Sequence, residues 1–143
     1  MYYIDKDGNK VRPVIIHRTS LGCYERTLAM VIERFAGAFP TWLAPVQVKV
    51  LPIADGHIDY ANKVREELQK AGIRVEVDNR DEKIGYKIRE AQVQKVSYML
   101  VVGDKEIEAG AVGVRSRKDG DIGAQKLEEF ISKIKEEIEN YIR

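Results

Sequence analysis

The chain has 143 residues, room for one modest domain with or without a piece of a second. Its 24 lysines and arginines against 23 aspartates and glutamates leave a net charge of +1, which excludes a strong global field for nucleic acid, so any RNA contact must come from a local patch. An apolar fraction of 44% supports a core, the single cysteine, Cys23, excludes an internal disulfide, and neither a membrane-length apolar run nor a signal-peptide pattern is present. These features predict a soluble, cytoplasmic protein with no membrane partner.

In chain order, Tyr2-Tyr3-Ile4, the tight-turn pair Asp7-Gly8 and the run Arg12-Pro13-Val14-Ile15-Ile16-His17-Arg18 predict a β-hairpin over residues 2–18. Pro13 has no N–H, which places it at the start or edge of the return strand. Thr19-Ser20-Leu21-Gly22 predicts a turn. Leu28, Val31, Ile32 and Phe35 form the apolar stripe of a helix from about Tyr24 to Ala36, closed by Gly37 and Pro40. Two strands and a helix cannot cover Val14, Ile16, Phe35, Phe39 and Trp42 by themselves. Residues 1–43 are therefore expected to be the end of a larger domain, exposing apolar surface and either self-associating or losing order.

A boundary is predicted near Thr41-Trp42-Leu43-Ala44-Pro45, and residues 44–143 read as a second domain. Val46, Val48 and Val50 alternate as a strand, Asp55-Gly56 turns, and Ile58, Ala61, Val64, Leu68 and Ala71 line a helix closed by Gly72. Ile73, Val75 and Val77 form a second strand, so this segment is a βαβ unit with parallel strands and a right-handed crossover. The polar elbow at Asp78-Asn79-Arg80-Asp81-Glu82 leads into a helix with Ile84, Ile88 and Ala91 inward, and Lys83, Lys87 and Arg89 are expected outside that stripe. Tyr98-Met99-Leu100-Val101-Val102 predicts a central strand covered on both faces. Gly103-Asp104-Lys105 predicts a turn, Ala111-Val112-Gly113-Val114-Arg115 an antiparallel strand, and Lys118-Asp119-Gly120-Asp121 a loop. Leu127, Phe130, Ile131, Ile134, Ile138, Tyr141 and Ile142 mark a final helix. The predicted fold is α/β, three layers around a mixed sheet of four or five strands.

The usual chemical motifs are missing from the sequence. No Walker loop is present, and Gly110-Ala111-Val112-Gly113 has neither the spacing nor the following helix of a dinucleotide fingerprint, which disfavours a nucleotide-binding α/β enzyme. His17 and His57 have no second Cys or His nearby to complete a zinc site. Cys23 has no local base and reads as a small buried residue. Glu25 is electrostatically favoured where a helix opens, and its neighbour Arg26 is either a surface residue or a phosphate ligand.

Three segments are recognisable: Arg12-Pro13-Val14-Ile15-Ile16-His17-Arg18, Gly22-Cys23-Tyr24-Glu25-Arg26, and Phe39-Pro40-Thr41-Trp42-Leu43-Ala44-Pro45-Val46-Gln47. Together they resemble the end of the catalytic domain in the threonyl-tRNA synthetase family. Glu82-Lys83-Ile84-Gly85-Tyr86-Lys87-Ile88-Arg89-Glu90 and Gly103-Asp104-Lys105-Glu106 resemble that family's anticodon-binding domain. The resemblance covers nearly the whole chain in consistent order. It implies a C-terminal fragment of a class II threonine--tRNA ligase: residues 1–43 the remnant of the catalytic domain, residues 44–143 the anticodon-binding domain.

The resemblance further implies a motif 3 role for Arg26, contacting ATP, which suits a permanent charge on a planar fork. His17 matches one of three zinc ligands of the family, and the other two would lie upstream. ATP and zinc thus belong to the full-length parent, and this fragment is expected to hold neither and to be inactive in aminoacylation. The implied partner is threonine tRNA, read at its anticodon loop by Lys83, Arg89, Glu106, Arg115 and, by position, Asp81. A carboxylate such as Glu106 can accept from a guanine N–H edge, while the three cations donate to carbonyls or phosphates. Asp81 stands where the family has asparagine, and being acceptor-only it suits a helix cap. The parent is expected to dimerise through its catalytic domain. A rival reading is a stand-alone, synthetase-like RNA-binding or regulatory module without catalysis.

Overall fold

The computed structural model describes residues 1–20 and 22–142, and Leu21 of the expected Thr19–Gly22 turn lies outside them. Packing divides the chain into two compact units, Met1–Val31 and a second beginning at Ile32, ahead of the compositional boundary near residue 44.

In the first unit, β1 (Tyr3–Ile4) pairs antiparallel with β2 (Lys10–Val11), Tyr3 opposite Val11 and Ile4 opposite Lys10. Asp5 organises the turn: its Oδ1 accepts the Asp7 N–H at 2.9 Å and the Asn9 N–H at 2.8 Å. The Asn9 bond is the main reason its carboxyl is held below the usual range. Gly8 supplies the positive φ, 82°, that the turn requires. The return strand expected over Arg12–Arg18 is not formed; pairing stops at Val11. A strand lasts only as far as its partner, and the partner here is two residues long before Pro13 removes a donor. Helix α1 (Tyr24–Phe35) follows as predicted, runs across the division at Val31 and Ile32, and buries none of its residues; Cys23 before it is exposed rather than buried, and Ala36 and Gly37 close the helix at φ 48° and 75°.

The second unit is a five-stranded mixed sheet between two helical layers. Its strands are β3 (Val48–Pro52), β4 (Val75–Val77), β5 (Tyr98–Val102), β6 (Ala111–Ser116) and β7 (Gly120–Lys126), in the order β4-β3-β5-β6-β7. Pairing is parallel in β4-β3-β5 and antiparallel from β5 through β7. A single 3-10 turn at Asp55–His57 leads into α2 (Ile58–Lys70), and α5 (Leu127–Glu139) ends the unit. Ala61, Val64 and Leu68 of α2 join Phe130 and Ile134 of α5 over Val48, Val50, Leu100, Val112 and Val114. On the opposite face, Ile84, Ile88 and Ala91 of α3 (Ile84–Val93) pack on Leu51 and Met99. Period-2 alternation thus sends neighbouring residues of β3 and β5 into two separate cores.

Several elements differ from expectation. Strand β3 starts at Val48, not Val46, and Gln47 just ahead of it is buried, its side chain donating to Thr41 O at 2.9 Å and accepting the Arg74 N–H at 2.8 Å. The expected turn at Gly103-Asp104-Lys105 opens a short helix, α4 (Asp104–Ala109), which Gly110 closes. The expected loop 118–121 is a hairpin turn into β7, whose glycines and polar residues hide a strand formed by pairing with β6. Lys87 is buried, not outside the stripe, and donates from Nζ to Pro52 O at 3.1 Å. Tyr141 and Ile142 are exposed because the helix stops at Glu139; Tyr141 instead meets Trp42 edge-to-face at 5.3 Å. Phe35 and Phe39, expected to be bare, are half-buried and stack edge-to-face at 6.3 Å. The backbone around them is fastened by cations: Lys95 donates to Ala36 O, Arg117 to Phe39 O at 2.7 Å, and Arg74 to Trp42 O at 2.8 Å. Val14 and Ile16 are exposed as expected.

Candidate nucleic-acid interface

Glu106 and Arg115, far apart in sequence, meet in one cleft of about 230 Å³ on the face of the sheet opposite α2 and α5. Ile88 of α3, Val101 of β5, Gly113 of β6, and Asp121, Gly123 and Ala124 of β7 complete its lining. Glu106 arrives on α4. Its Oε2 accepts the Gly103 N–H at 3.0 Å, satisfying a donor at the helix start, which leaves Oε1 toward the cleft. Gly113 lies beside that oxygen: a Cβ there would be in ordinary contact with Glu106 Oε1 at 3.8 Å and tight against Val101 O at 3.3 Å.

Arg115 comes from β6 at a register shift between Val114 and Arg115, and its Nη1 lies 3.2 Å from Asp121 Oδ2 of β7. Its Nε is shielded from solvent and has no hydrogen-bond partner. The extra residue of that shift is Ile122 on β7, so β6 runs through regularly and alternation puts Arg115 on the face of Gly113, opposite Val112 and Val114. The cleft therefore offers a carboxylate acceptor and a guanidinium donor to one planar polar group, the pairing that reads a base edge.

Lys83 is the N-cap of α3, with backbone φ −59° and ψ 136°, and its carbonyl accepts the Tyr86 N–H at 2.8 Å. Lys83, Asp81 and Arg89 are exposed and do not line the cleft; α3 reaches it through Ile88. Asp81 makes no cap, since the helix starts at Ile84 with Lys83 as its N-cap and no side-chain cap bond. The elbow is held instead by Arg80, which donates to Asp78 from Nε at 2.8 Å and Nη2 at 2.6 Å and also stands 2.7 Å from Glu90 Oε2. The Arg80 hydrogen bond is the main cause of an Asp78 carboxyl held below its ordinary value. Arg80 also lies 6.0 Å from the ring of exposed Tyr86, an aromatic beside the basic residues of α3.

Arg26 is exposed on α1. His17 is exposed too, and among the described residues no three His, Cys, Asp or Glu side chains are placed to hold a metal ion. A lone imidazole is a poor fit to a tetrahedral zinc site, so no zinc chemistry is assigned to this chain. Sequence reasoning missed Gly113 and Asp121. The glycine reads as part of a strand and of a failed nucleotide motif, and the aspartate as part of a loop.

Known proteins that share this fold give its class. The anticodon binding domain model matches residues 47–137, and the chain belongs to that family. The chain is 64% identical over 140 residues to the threonine--tRNA ligase of Clostridium perfringens strain SM101, covering 98% of this chain and 22% of that protein. Among solved structures it is similar to the RNA binding domain of threonyl-tRNA synthetase from Cryptosporidium parvum Iowa II, with TM-score 0.76, 38% identity, and coverage of 92% of this chain and 33% of that one. Prolyl-tRNA synthetase from Cryptosporidium parvum, solved with halofuginone and AMPPNP, gives TM-score 0.64 and 31% identity over 71% of this chain and 22% of that one. The chain thus spans about a fifth of the length of the curated relative it matches.

Proposed function

We propose that this chain is the anticodon-reading part of a threonine--tRNA ligase, acting on the anticodon loop of threonine tRNA. The observation that supports it most is the meeting of Glu106 and Arg115 over Gly113 in one cleft, in a chain whose relatives at this level of identity are threonine--tRNA ligases. Unstacked anticodon bases expose their edges, and a carboxylate beside a guanidinium discriminates those edges by donor and acceptor pattern. Lys83 and Arg89, exposed on α3, supply positive charge to the loop's phosphates or carbonyls, and Asp81 has the weakest claim because an ionised carboxylate repels phosphate.

In this reading the whole enzyme joins threonine to its tRNA with ATP, in the cytoplasm. Residues 1–43 belong to its class II catalytic domain and residues 44–143 form the anticodon-binding domain. Arg26 contacts ATP only when the rest of that domain surrounds it, and the parent dimerises through the same domain. The exposed Val14 and Ile16 make this chain self-associate when that surface lacks its cover.

The test is equilibrium binding of a threonine anticodon stem-loop and of the same stem-loop with one anticodon base altered. Glu106→Ala and Arg115→Ala are each expected to reduce the preference by about tenfold, the scale of one base contact. Lys83→Ala is expected to weaken both RNAs alike and to lower the salt slope by about 1. Equal affinity of the unaltered protein for the two stem-loops overturns the assignment.

A further inference from the structure

His57 is buried, lies outside the cleft, and has both ring nitrogens occupied. The Ala54 N–H donates to Nδ1 at 3.2 Å, so Nε2 bears the proton and donates to Asp104 Oδ1 at 3.0 Å. The imidazole therefore ties the 3-10 turn ahead of α2 to the first residue of α4. The two segments also touch beside it. Ile53 N–H donates to Val102 O at 3.0 Å, and a Cβ on Gly103 would come within 2.7 Å of Ile53 Cδ1. Helix α4 is only six residues long, too short to hold its own geometry, and it bears Glu106.

We propose that His57 is a positioning residue for base selection: acting through Asp104, it sets α4 so that Glu106 Oε1 faces Gly113 and Arg115. The proposal rests on the anticodon-reading assignment for its function, though the tether itself is a property of the free protein. The Gly103 N–H to Glu106 Oε2 bond only closes the first turn of α4; the helix is fixed to the fold first through Ile107, which packs on the core, and second through Asp104 Oδ1 on His57. Without the second, α4 can pivot about Gly103 and move the carboxylate relative to the guanidinium. Affinity for phosphate does not depend on this contact, but the ratio of affinities for matched and altered anticodons does.

Asp104 is the cleaner handle, because its side chain is 89% exposed and its replacement leaves the core intact. Asp104→Ala removes the acceptor and is expected to reduce the matched-to-altered ratio about fivefold, the scale of one net hydrogen bond. Asp104→Asn keeps an acceptor oxygen without the charge and is expected to retain the ratio. His57→Gln, whose amide nitrogen can reach as far as Nε2, should retain more discrimination than His57→Asn, which reaches only as far as Nδ1. Amide exchange over residues 103–110 of the free protein is the second readout, with faster exchange in Asp104→Ala and unchanged exchange in Asp104→Asn. An unchanged ratio and unchanged exchange in Asp104→Ala overturn the proposal, as does equal loss in Asp104→Asn, which would make charge the cause. If the unaltered protein does not discriminate at all, the anticodon assignment fails, and the exchange comparison by itself upholds or overturns the tether.

Discussion

Val14 and Ile16 in the first unit are 88% and 85% exposed, whereas Val48 and Val50 in the second are fully buried. All four are β-branched residues at alternate positions, with the same intrinsic preference for extended backbone. The difference lies in what surrounds them. Strand β3 pairs on both sides, with β4 and β5, and helices cover both its faces. The segment around Val14 pairs with nothing after Val11, and α1 buries none of its residues. Alternation specifies which residues share a face, but burial needs a second layer and a neighbouring strand.

The contrast breaks most severely if a core side chain proves dispensable. Phe130→Ala, at a position 1% exposed, is expected to cost about 3–5 kcal/mol in urea unfolding followed by far-ultraviolet circular dichroism. Ile16→Ala is expected to change stability by less than about 0.5 kcal/mol in the same experiment. Comparable losses from the two would show that residues 1–31 are as well packed as the rest.

The buried Gln47 gives a smaller effect. Gln47→Leu strips the Arg74 N–H and the Thr41 carbonyl of their partner, at about 1–3 kcal/mol by the same unfolding measurement. A neutral result would mean that water replaces the amide.

Acid sharpens the comparison again. Hydrogen bonding by Arg80 lowers the folded-state value of Asp78, so its stabilising contribution is present above the unfolded carboxyl value of about 3.9 and is lost as pH falls through the lower folded value. Asp78→Asn is expected to flatten the pH dependence of stability below about pH 4. An identical acid titration of stability in the variant would remove Asp78 from that dependence.

The smallest change in stability is expected from Val14→Asp combined with Ile16→Asp, which should leave the unfolding midpoint within about 0.5 kcal/mol while reducing self-association in sedimentation velocity. Association that is unchanged by these charges would place the sticky surface elsewhere.

Much of the candidate site is legible in the sequence because the family resemblance points to Glu106 and Arg115. Pattern alone marks neither: Glu106 follows a predicted turn and Arg115 ends a predicted strand. Helix α4 went unseen since six residues give too little periodicity, and β7 since Gly120, Gly123 and its polar residues resemble a loop. Lys87 was misplaced for a related reason: charge is a poor guide to burial when a long apolar stem can deliver an ammonium to a carbonyl.

By itself the sequence determined the βαβ unit, the two-sided burial of β5, the helix stripes and the absence of a nucleotide loop, because these are local patterns of period 2 and 3.6. The register that brings α4, β6 and β7 around Gly113, the shift on β7 that sets Asp121 opposite Arg115, and the His57–Asp104 link were decided only by tertiary structure. Each joins residues distant along the chain, and no local periodicity encodes which of them will meet.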